Sequence, residues 1–225
     1  PTPGLAFLTV DMRCDAGVMI SASHNPFTDN GIKFFSHDGF KLPDEFEQRI
    51  EELIRNGSLA SLRAAAEEVG RAQRIEDATG RYVVFLKKTF PQELTPGALR
   101  GVVDCANGAA YKVAPRVLTD LGAEIIPLGC SPNGRNINLR CGSTSPELIQ
   151  ATVSGVHADV GIALDGDGDR LVMVDHLGRI ADGDQLLYVI ASDRKRAGTL
   201  RGPVVGTVMS NLGLEQKLQA EGVEF

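Results

Sequence analysis

The sequence predicts an α/β protein with mixed, mostly parallel sheets sandwiched between helices. From about residue 100 onward, short apolar runs such as "GVVDC" and "VGIAL" alternate with helical patterns of about 10 to 15 residues. Such apolar runs indicate strands that are buried on both faces, as in parallel sheets. The 225 residues are 43% hydrophobic and 23% charged, which is typical of a globular protein with room for one large domain or two ordinary ones.

The first 57 residues contain two predicted strands and a helix. The runs "AGVMIS" and "GIKFFS" have strand character, and an Asp38-Gly39 turn follows the second. From Asp44, which we take as the N-cap, a helix is predicted that ends just before Gly57. Its apolar residues recur at helical spacing on one face: Phe46, Ile50, Leu53 and Ile54.

A segment poor in apolar residues, "ASLRAAAEEVGRAQRIED", predicts a domain boundary near residue 75. A helix is predicted next, in "DATGRYVVFLKKTF", and it ends before Pro91. After the alternating strands and helices, "DGDQLLYVIASDRKRAG" predicts a further helix, and "GPVVGTVMSNLGLEQKLQAEG" predicts a strand, a turn and a helix. Ligands of such folds gather at the carboxyl ends of strands, so the loops that follow strands are candidate sites.

Composition excludes several classes of function. The net charge of -6 and the lack of clustered Lys and Arg argue against a nucleic-acid partner. Neither a signal peptide nor an apolar stretch of about 20 residues is present, so we expect a cytoplasmic protein without a membrane partner. Four widely spaced cysteines form no Cys-x-x-Cys pair and are predicted to be reduced: Cys14, Cys105, Cys130 and Cys141.

Three aspartates, Asp165, Asp167 and Asp169, follow the apolar run "VGIAL" and are separated by glycines. A tight loop with this spacing can direct three carboxylates to one point. At roughly 4 Å and an effective dielectric constant of about 20, each like-charge pair costs about 4 kcal/mol. A divalent cation removes that repulsion, and ligands that are all oxygen favour Mg²⁺ over Zn²⁺, with Mn²⁺ as a substitute. The loop therefore predicts a site for one Mg²⁺.

Two other readings of this loop are a solvated acidic turn and a calcium-binding EF-hand. The EF-hand requires Gly at the sixth position and Glu at the twelfth, where this sequence has Arg170 and His176, so that reading fails. Arg170 directly follows the carboxylates. It could neutralise them as an ion pair or clamp a phosphoryl oxygen, and the two roles are compatible.

The stretch "SASHNPFTDNGIKFF" raises a question about Ser23. On local grounds Ser23 caps a turn before Asn25 and Pro26, and no G-x-S-x-G elbow supports an acyl-transfer nucleophile. His24 alone is more often a packed histidine than a catalyst. Lys33 lies within an apolar strand, so it either extends to the surface or points into a site where it could transfer a proton.

Together, "GVMISASHNPFTDNGIKFF" and "GIALDGDGDRLVMVD" resemble the α-D-phosphohexomutase superfamily. Its phosphoserine loop reads S/T-A-S-H-N-P and its metal loop reads D-G-D-G/A-D-R. The similarity covers essentially all 225 residues. It implies that residues 1–74 are the later part of domain 1, residues 75–179 are domain 2 and residues 180–225 begin domain 3. We expect the chain to be a fragment that is inactive alone, because a catalytic Arg and two ligand-binding loops of the family have no counterpart in it.

The resemblance also implies the chemistry. Ser23 would carry a phosphoryl group and donate it to glucosamine 6-phosphate, giving a bisphosphate intermediate and then glucosamine 1-phosphate for the synthesis of cell-wall amino-sugar nucleotides. Mg²⁺ would bridge the phosphate on Ser23 and the three aspartates, so that Ser23 belongs to the metal site as well. No organic cofactor is implied, and a homodimer is compatible with the family. The catalytic residues that it implies are Ser23, His24, Lys33 and Arg170.

Three alternatives stay open at this point. The sugar could be mannose or glucose, since the specificity loop lies outside the matched residues. A phosphatase of the haloacid dehalogenase type would use Asp165 as the nucleophile and Asp167 as the acid and base. A module that only binds metal or a partner would need none of this catalysis.

Overall fold

The computed structural model describes residues 1–225 and contains two sheets. The smaller sheet is an antiparallel pair, β1 (Ala16–Ser21) and β2 (Gly31–Ser36), as the sequence predicted. Its register places Met19 opposite Lys33 and Ser21 opposite Gly31. Helix α1 (Thr2–Asp11) packs against β1, where Gly17 leaves room for the buried Thr9. The loop between β1 and β2 is the stretch that contains Ser23.

Helix α2 (Asp44–Arg55) confirms the helix predicted from the spacing of apolar residues. The predicted N-cap is wrong, because Pro43 holds that position and Asp44 is the first helical residue, without a side-chain capping bond. Asp44 still lies in the first turn, where a carboxylate interacts favourably with the positive end of the helix. None of the residues of α2 is fully buried: Phe46 and Ile54 are exposed, while Ile50 and Leu53 are half-buried.

The larger sheet has five strands in the order β4-β3-β5-β6-β7. Helices α4 and α5 pack on it, and its core consists of Val102, Ile149, Val153, Ala158, Ala163 and Val174. The elements of this unit are β3 (Arg100–Asp104), α4 (Ala114–Asp120), β4 (Glu124–Leu128), α5 (Glu147–Val156), β5 (Val160–Leu164), β6 (Leu171–Asp175) and β7 (Ile180–Ala181). A mixed sheet flanked by helices confirms the predicted α/β class.

The sheet is less parallel than predicted. Strand β3 is parallel to both β4 and β5, whereas β5, β6 and β7 pair in antiparallel fashion. Parallel neighbours need a crossover of a dozen or more residues, and the loop between Leu164 and Leu171 is too short for one. The aspartate loop therefore joins two adjacent antiparallel strands.

Helix α3 (Ala78–Thr89) confirms the helix predicted before Pro91. It connects the unit built on the smaller sheet with the unit built on the larger one. It contacts both α1 and α4, and Phe7 of α1 stacks on Phe85 with ring centroids 4.3 Å apart. Buried Tyr82 and Val83 complete this small core with Val113. Two short 3₁₀ turns, Ser58–Leu62 and Ala66–Glu68, precede residues 69–75, which hold no helix or strand.

The last 45 residues contain α6 (Gly183–Arg196) and α7 (Leu212–Ala220), both predicted. The strand predicted in "GPVVGTV" is wrong: residues 203–208 form no strand. A strand needs a neighbour that accepts its ladder of hydrogen bonds. Here the backbone of this segment donates one such bond, from Val204 N–H to the Glu224 carbonyl, while Val205 and Val208 face solvent. No helix is both long and apolar enough to cross a membrane.

Candidate functional site

The aspartate loop begins at the carboxyl end of β5, and neighbouring segments fix its conformation. Gly168 adopts a φ of +67°, a left-handed conformation that glycine accepts without strain, and this turns the chain back into β6. The carbonyl of Gly166 accepts a 2.7 Å hydrogen bond from Ala109 N–H, which fixes the loop against the segment after β3. The loop is therefore braced by its neighbours as well as by its strands.

The three carboxylates converge as the sequence predicted. One oxygen from each of Asp165, Asp167 and Asp169 lies within 4.8 Å of the others. Asp165 and Asp167 are fully buried, and Asp169 is exposed. The cluster is thus an acidic pocket with one open side.

Each of the two buried aspartates has one oxygen occupied and one free. The Oδ1 of Asp165 accepts hydrogen bonds from the N–H groups of Asp169 and Arg170, at 3.1 and 3.2 Å. The Oδ2 of Asp167 accepts from Lys33 Nζ at 2.5 Å and from Thr2 Oγ1 at 2.8 Å. The remaining atoms, Asp165 Oδ2 and Asp167 Oδ1, are buried without a hydrogen-bond partner.

These surroundings shift the two pKa values in opposite directions. Burial raises the pKa of Asp165, and the neighbouring charges of Asp169 and Asp167 raise it further. Burial also acts to raise the pKa of Asp167, but the hydrogen bonds from Lys33 and Thr2 and the charge of Lys33 outweigh it, so that this pKa is lowered. The surroundings of Asp167 therefore favour its ionised form, whereas burial of Asp165 disfavours ionisation of that carboxyl.

The residues present fit a divalent cation. A buried carboxylate oxygen without a partner is destabilising, and Asp165 and Asp167 each contribute one such oxygen to a cluster that brings one oxygen of each aspartate within 4.8 Å of the others. The donor set is entirely oxygen, with no Cys or His in the cluster, which favours Mg²⁺ over Zn²⁺. A cation bound there could be coordinated by both of these oxygens.

The Ser23 loop lies against the aspartate loop. A Cβ atom added to Gly166 would overlap the Ser23 carbonyl oxygen, so the two backbones touch at a residue without a side chain. Ser23 has a φ of +52°, unusual for a residue other than glycine, and its N–H donates to Ser21 Oγ at 2.9 Å. Two motifs far apart in sequence are thus brought together. Ser23 lies in a turn as predicted, but the predicted cap is wrong, because the capping oxygen is Oγ of Ser21.

The other predicted site residues differ in their placement. Lys33 points into the site, since its Nζ contacts Asp167 and lies 3.8 Å from Asp169 Oδ2. The side chain of Arg170 is exposed and forms no ion pair with the aspartates. Of the two roles considered for it, neutralising the carboxylates is therefore wrong, and clamping a phosphoryl oxygen stays a prediction. His24 is exposed on the Ser23 loop. Lys33 supplies the positive charge that the sequence had suggested for Arg170.

Two residues that contact these loops were missed at the sequence level. Thr2 is buried and donates to Asp167, from the start of the chain. Asn138 donates from Nδ2 to the carbonyls of Ser23 and Asn25, at 2.8 Å each. Nothing in the local sequence marks Thr2. The stretch "NGRNIN" around Asn138 is rich in Asn, which indicates a loop with specific turns but not its partner.

Comparison with known proteins supports one family. Domain models I, II and III of phosphoglucomutase/phosphomannomutase, each described as alpha/beta/alpha, match residues 1–61, 80–178 and 182–225. The phosphoglucosamine mutase of Geotalea uraniireducens is 59% identical over 223 residues, which is 99% of this chain and 49% of that protein. The chain spans about half the length of the curated relatives that it matches.

Solved structures show the same fold. A phosphoglucomutase/phosphomannomutase family protein from Burkholderia thailandensis superposes with a TM-score of 0.67 at 26% identity, over 93% of this chain and 44% of that one. The Aspergillus fumigatus N-acetylphosphoglucosamine mutase, in complex with GlcNAc-6P and magnesium, superposes with a TM-score of 0.54 at 20% identity, over 99% of this chain and 58% of that one. With its three matching domains, its fold and its converging motifs, the chain belongs to the phosphoglucomutase/phosphomannomutase family of the α-D-phosphohexomutase superfamily.

Proposed function

We propose that the protein containing this chain is a phosphosugar mutase that interconverts glucosamine 6-phosphate and glucosamine 1-phosphate. Ser23 would carry the phosphoryl group, and the reaction would pass through a sugar bisphosphate. The observation that carries the proposal is the backbone contact between Ser23 and Gly166, which places the serine beside the three aspartates. If Ser23 served only to form a local turn, this contact with the aspartate loop would not be required.

The proposed transfer exchanges one phosphate ester for another. The bond between Ser23 Oγ and phosphorus breaks while a sugar hydroxyl oxygen bonds to phosphorus, and the proton of that hydroxyl leaves for a nearby base. The second phosphate of the resulting bisphosphate then returns to Ser23 Oγ by the reverse exchange at the other hydroxyl. The net reaction moves a phosphate between two positions of one sugar and leaves the enzyme phosphorylated.

Electrostatics decides which residues support this transfer. A phosphoserine brings about -1.5 to -2 charges to a pocket that already holds three carboxylates. Bound Mg²⁺ would supply the positive charge that lets the two coexist. Asp165, Asp167 and Asp169 would hold it, with the phosphate on Ser23 as a further ligand. Lys33 pairs with Asp167 and lies 3.8 Å from Asp169 Oδ2. Beside these carboxylates it would exchange a proton with the sugar hydroxyl.

Two further residues would take roles from exposed positions on the two loops. Arg170 is exposed directly after the aspartates, and its guanidinium is suited to clamp a phosphoryl oxygen of the sugar phosphate. His24, exposed next to Ser23 in the sequence, would assist at the phosphoserine. The transfer would rest on four catalytic residues: Ser23, His24, Lys33 and Arg170.

Glucosamine is favoured over mannose and glucose by the 59% identity to a phosphoglucosamine mutase. The same relationship suggests a role in amino-sugar synthesis for the cell wall, in the cytoplasm, where four free cysteines would stay reduced. The division at residues 74 and 179, the homodimer and the inactivity of the chain alone are further parts of the proposal. Because the relatives are about twice as long, each part concerns the whole protein.

The test is to map the phosphate on the whole protein. After incubation with labelled sugar bisphosphate, we expect label on Ser23, stable to acid and to hydroxylamine, and its loss in Ser23→Ala. Ser61→Ala is the control, since its exposed hydroxyl bonds only within a short 3₁₀ turn. Label on Asp165, released by hydroxylamine, would instead support a phosphatase with an acyl-phosphate intermediate. Faster turnover of mannose or glucose phosphate would refute the choice of glucosamine.

A further inference from the structure

Asn138 links the larger sheet's unit to the Ser23 loop. Its Nδ2 group donates to the Ser23 carbonyl and to the Asn25 carbonyl, both at 2.8 Å. These two carbonyls flank His24, so a single amide group holds the backbone on both sides of the loop's centre. No other side chain donates a hydrogen bond to the Ser23 carbonyl.

The orientation of the Asn138 amide is set by those two bonds. Both N–H donors of the amide are used, while its Oδ1 is buried without a partner. Leaving a buried acceptor unpaired is unfavourable, but the reversed amide would direct Oδ1 at two carbonyl oxygens and lose both bonds. The Asn138 side chain therefore leaves its Oδ1 unpaired while its Nδ2 holds the Ser23 loop.

A chain of buried contacts fixes Asn138 in turn. Its N–H donates to the Ala106 carbonyl at 2.8 Å, and Ala106 N–H donates to the carboxylate of Asp104 at 2.9 Å. The other carboxylate oxygen of Asp104 accepts from Gly142 N–H at 2.8 Å. Asp104 is the fully buried last residue of β3, so the backbone of Asn138 is anchored to the buried end of that strand.

The loop needs such an anchor because of its backbone. Ser23 has a φ of +52°, a left-handed conformation that is sterically unfavourable for an L-amino acid other than Asn or Asp. Its carbonyl lies against Gly166, where no side chain fills the space. A Ser23 released from Asn138 can relax to a negative φ, which would move its side chain relative to the aspartates.

We propose that Asn138 is a positioning residue for the phosphoryl group on Ser23. It acts through the backbone, by holding Ser23 in its left-handed conformation beside Gly166, and contacts neither sugar nor metal itself. This inference rests on the proposed function, in which Ser23 carries the phosphate. A residue from the unit of the larger sheet would thus position a reacting group that belongs to the unit of the smaller sheet.

The test compares three variants of the whole protein. Asn138→Ala removes the two donors, and Asn138→Gly does so while keeping the positive φ of this position unstrained, in case the alanine variant does not fold. The control is Asn136→Ala, which removes an amide of the same loop whose bonds, to Ser131 and Asn133, stay within that loop.

Two quantities are measured, the kinetics with glucosamine 6-phosphate and the ³¹P resonance of phosphorylated Ser23 without sugar or metal. In the Asn138 variants we expect kcat to fall by about tenfold or more with KM changed by less than about threefold, because a misplaced group slows transfer more than binding. The resonance should narrow and shift toward that of free phosphoserine. Asn136→Ala should match the unsubstituted protein in both.

An unchanged resonance and kcat in the Asn138 variants would overturn the inference, as would an equal loss in Asn136→Ala. Failure of the proposed function is recognised separately, in the unsubstituted protein. If that protein takes no phosphate on Ser23 and does not interconvert the sugar phosphates, the function and the positioning role both fall. If it does both, the variants alone decide the role of Asn138.

Discussion

Lys33 Nζ lies 2.5 Å from Asp167 Oδ2, and 134 positions separate the two residues in the sequence. The ion pair joins β2 of the smaller sheet to the aspartate loop of the larger one. Asp167 is fully buried, so the ammonium compensates a charge that water cannot reach. Removing Lys33 is therefore expected to leave the charge of Asp167 uncompensated and to destabilise the fold.

Replacing Lys33 should make the protein depend on the metal for stability. In Lys33→Met the buried Asp167 loses its counter-charge, and we expect the metal-free protein to be destabilised by about 1 to 3 kcal/mol at pH 7. Added Mg²⁺ should raise the melting temperature more than in the unsubstituted protein. Lys41→Met is the control, because Lys41 pairs with exposed Asp44 and with Glu47 away from the site. Equal melting curves for both variants would contradict the role of the pair.

Asp165→Asn should stabilise the metal-free protein at neutral pH. Burial raises the folded-state pKa of Asp165, so ionisation opposes folding as pH rises from the ordinary value of 3.8 through the folded pKa. The Asn side chain keeps the acceptor for the two backbone N–H groups and removes the charge. A gain of about 1 kcal/mol would appear as about 2 to 4 °C in Tm.

The pH dependence distinguishes this cause from a general packing effect. Below pH 3.8 Asp165 is protonated in both states, so the advantage of Asp165→Asn should vanish there and be complete above the folded pKa. Stabilisation by Mg²⁺ should also be lost in this variant. A gain that does not change between pH 3 and pH 7 would show that the charge of Asp165 is not its source.

Gly166→Ala should destabilise the protein and separate the two loops. The new Cβ would overlap the Ser23 carbonyl and the Ile137 side chain, and since the first is backbone, the loops must move apart. Overpacking of this kind typically costs about 1 to 3 kcal/mol. Gly155→Ala, in α5 with open space around its Cβ position, should instead gain about 0.5 to 1 kcal/mol. Chemical denaturation measures both, and similar signs would contradict the contact.

The buried thiols should resist alkylation. Burial raises the pKa of Cys105 and raises that of Cys141 to about 11, so almost no thiolate is present at pH 7. Cys14 is half-buried and should react with iodoacetamide first in the native protein, while all four should react after unfolding. Peptide mass mapping gives the order. Alkylation of Cys105 at the rate of Cys14 would show that the end of β3 opens in solution.

Local sequence patterns were sufficient where the structure depends on neighbours in the chain. Helices α2 and α3 follow from the spacing of their apolar residues, and the convergence of the aspartates follows from a Gly-spaced loop after β5. The ion pair of Arg170 failed because sequence adjacency to a carboxylate does not fix where a long side chain points. Lys33, on strand β2, forms the ion pair with the aspartates instead.

Contacts between distant segments left no local trace. Thr2 reaches Asp167 across 165 positions, and Asn138 reaches Ser23 across 115. Neither Thr nor Asn is unusual in its own stretch, so only the folded arrangement identifies them. The absent strand at residues 203–208 has the same origin, because β-propensity describes a segment while strand formation requires a partner.

The antiparallel pairing of β5 with β6 continues up to Leu164 and Leu171, the residues that enclose the aspartate loop. The loop thus leaves one strand and enters the adjacent one, pinned at both ends by the same ladder. The sheet hydrogen bonds that fix the ends of the loop do not involve a cation, so binding need not be opposed by the entropy of freezing a wholly mobile segment. An ion could enter and leave this site repeatedly while the chain around it keeps one shape.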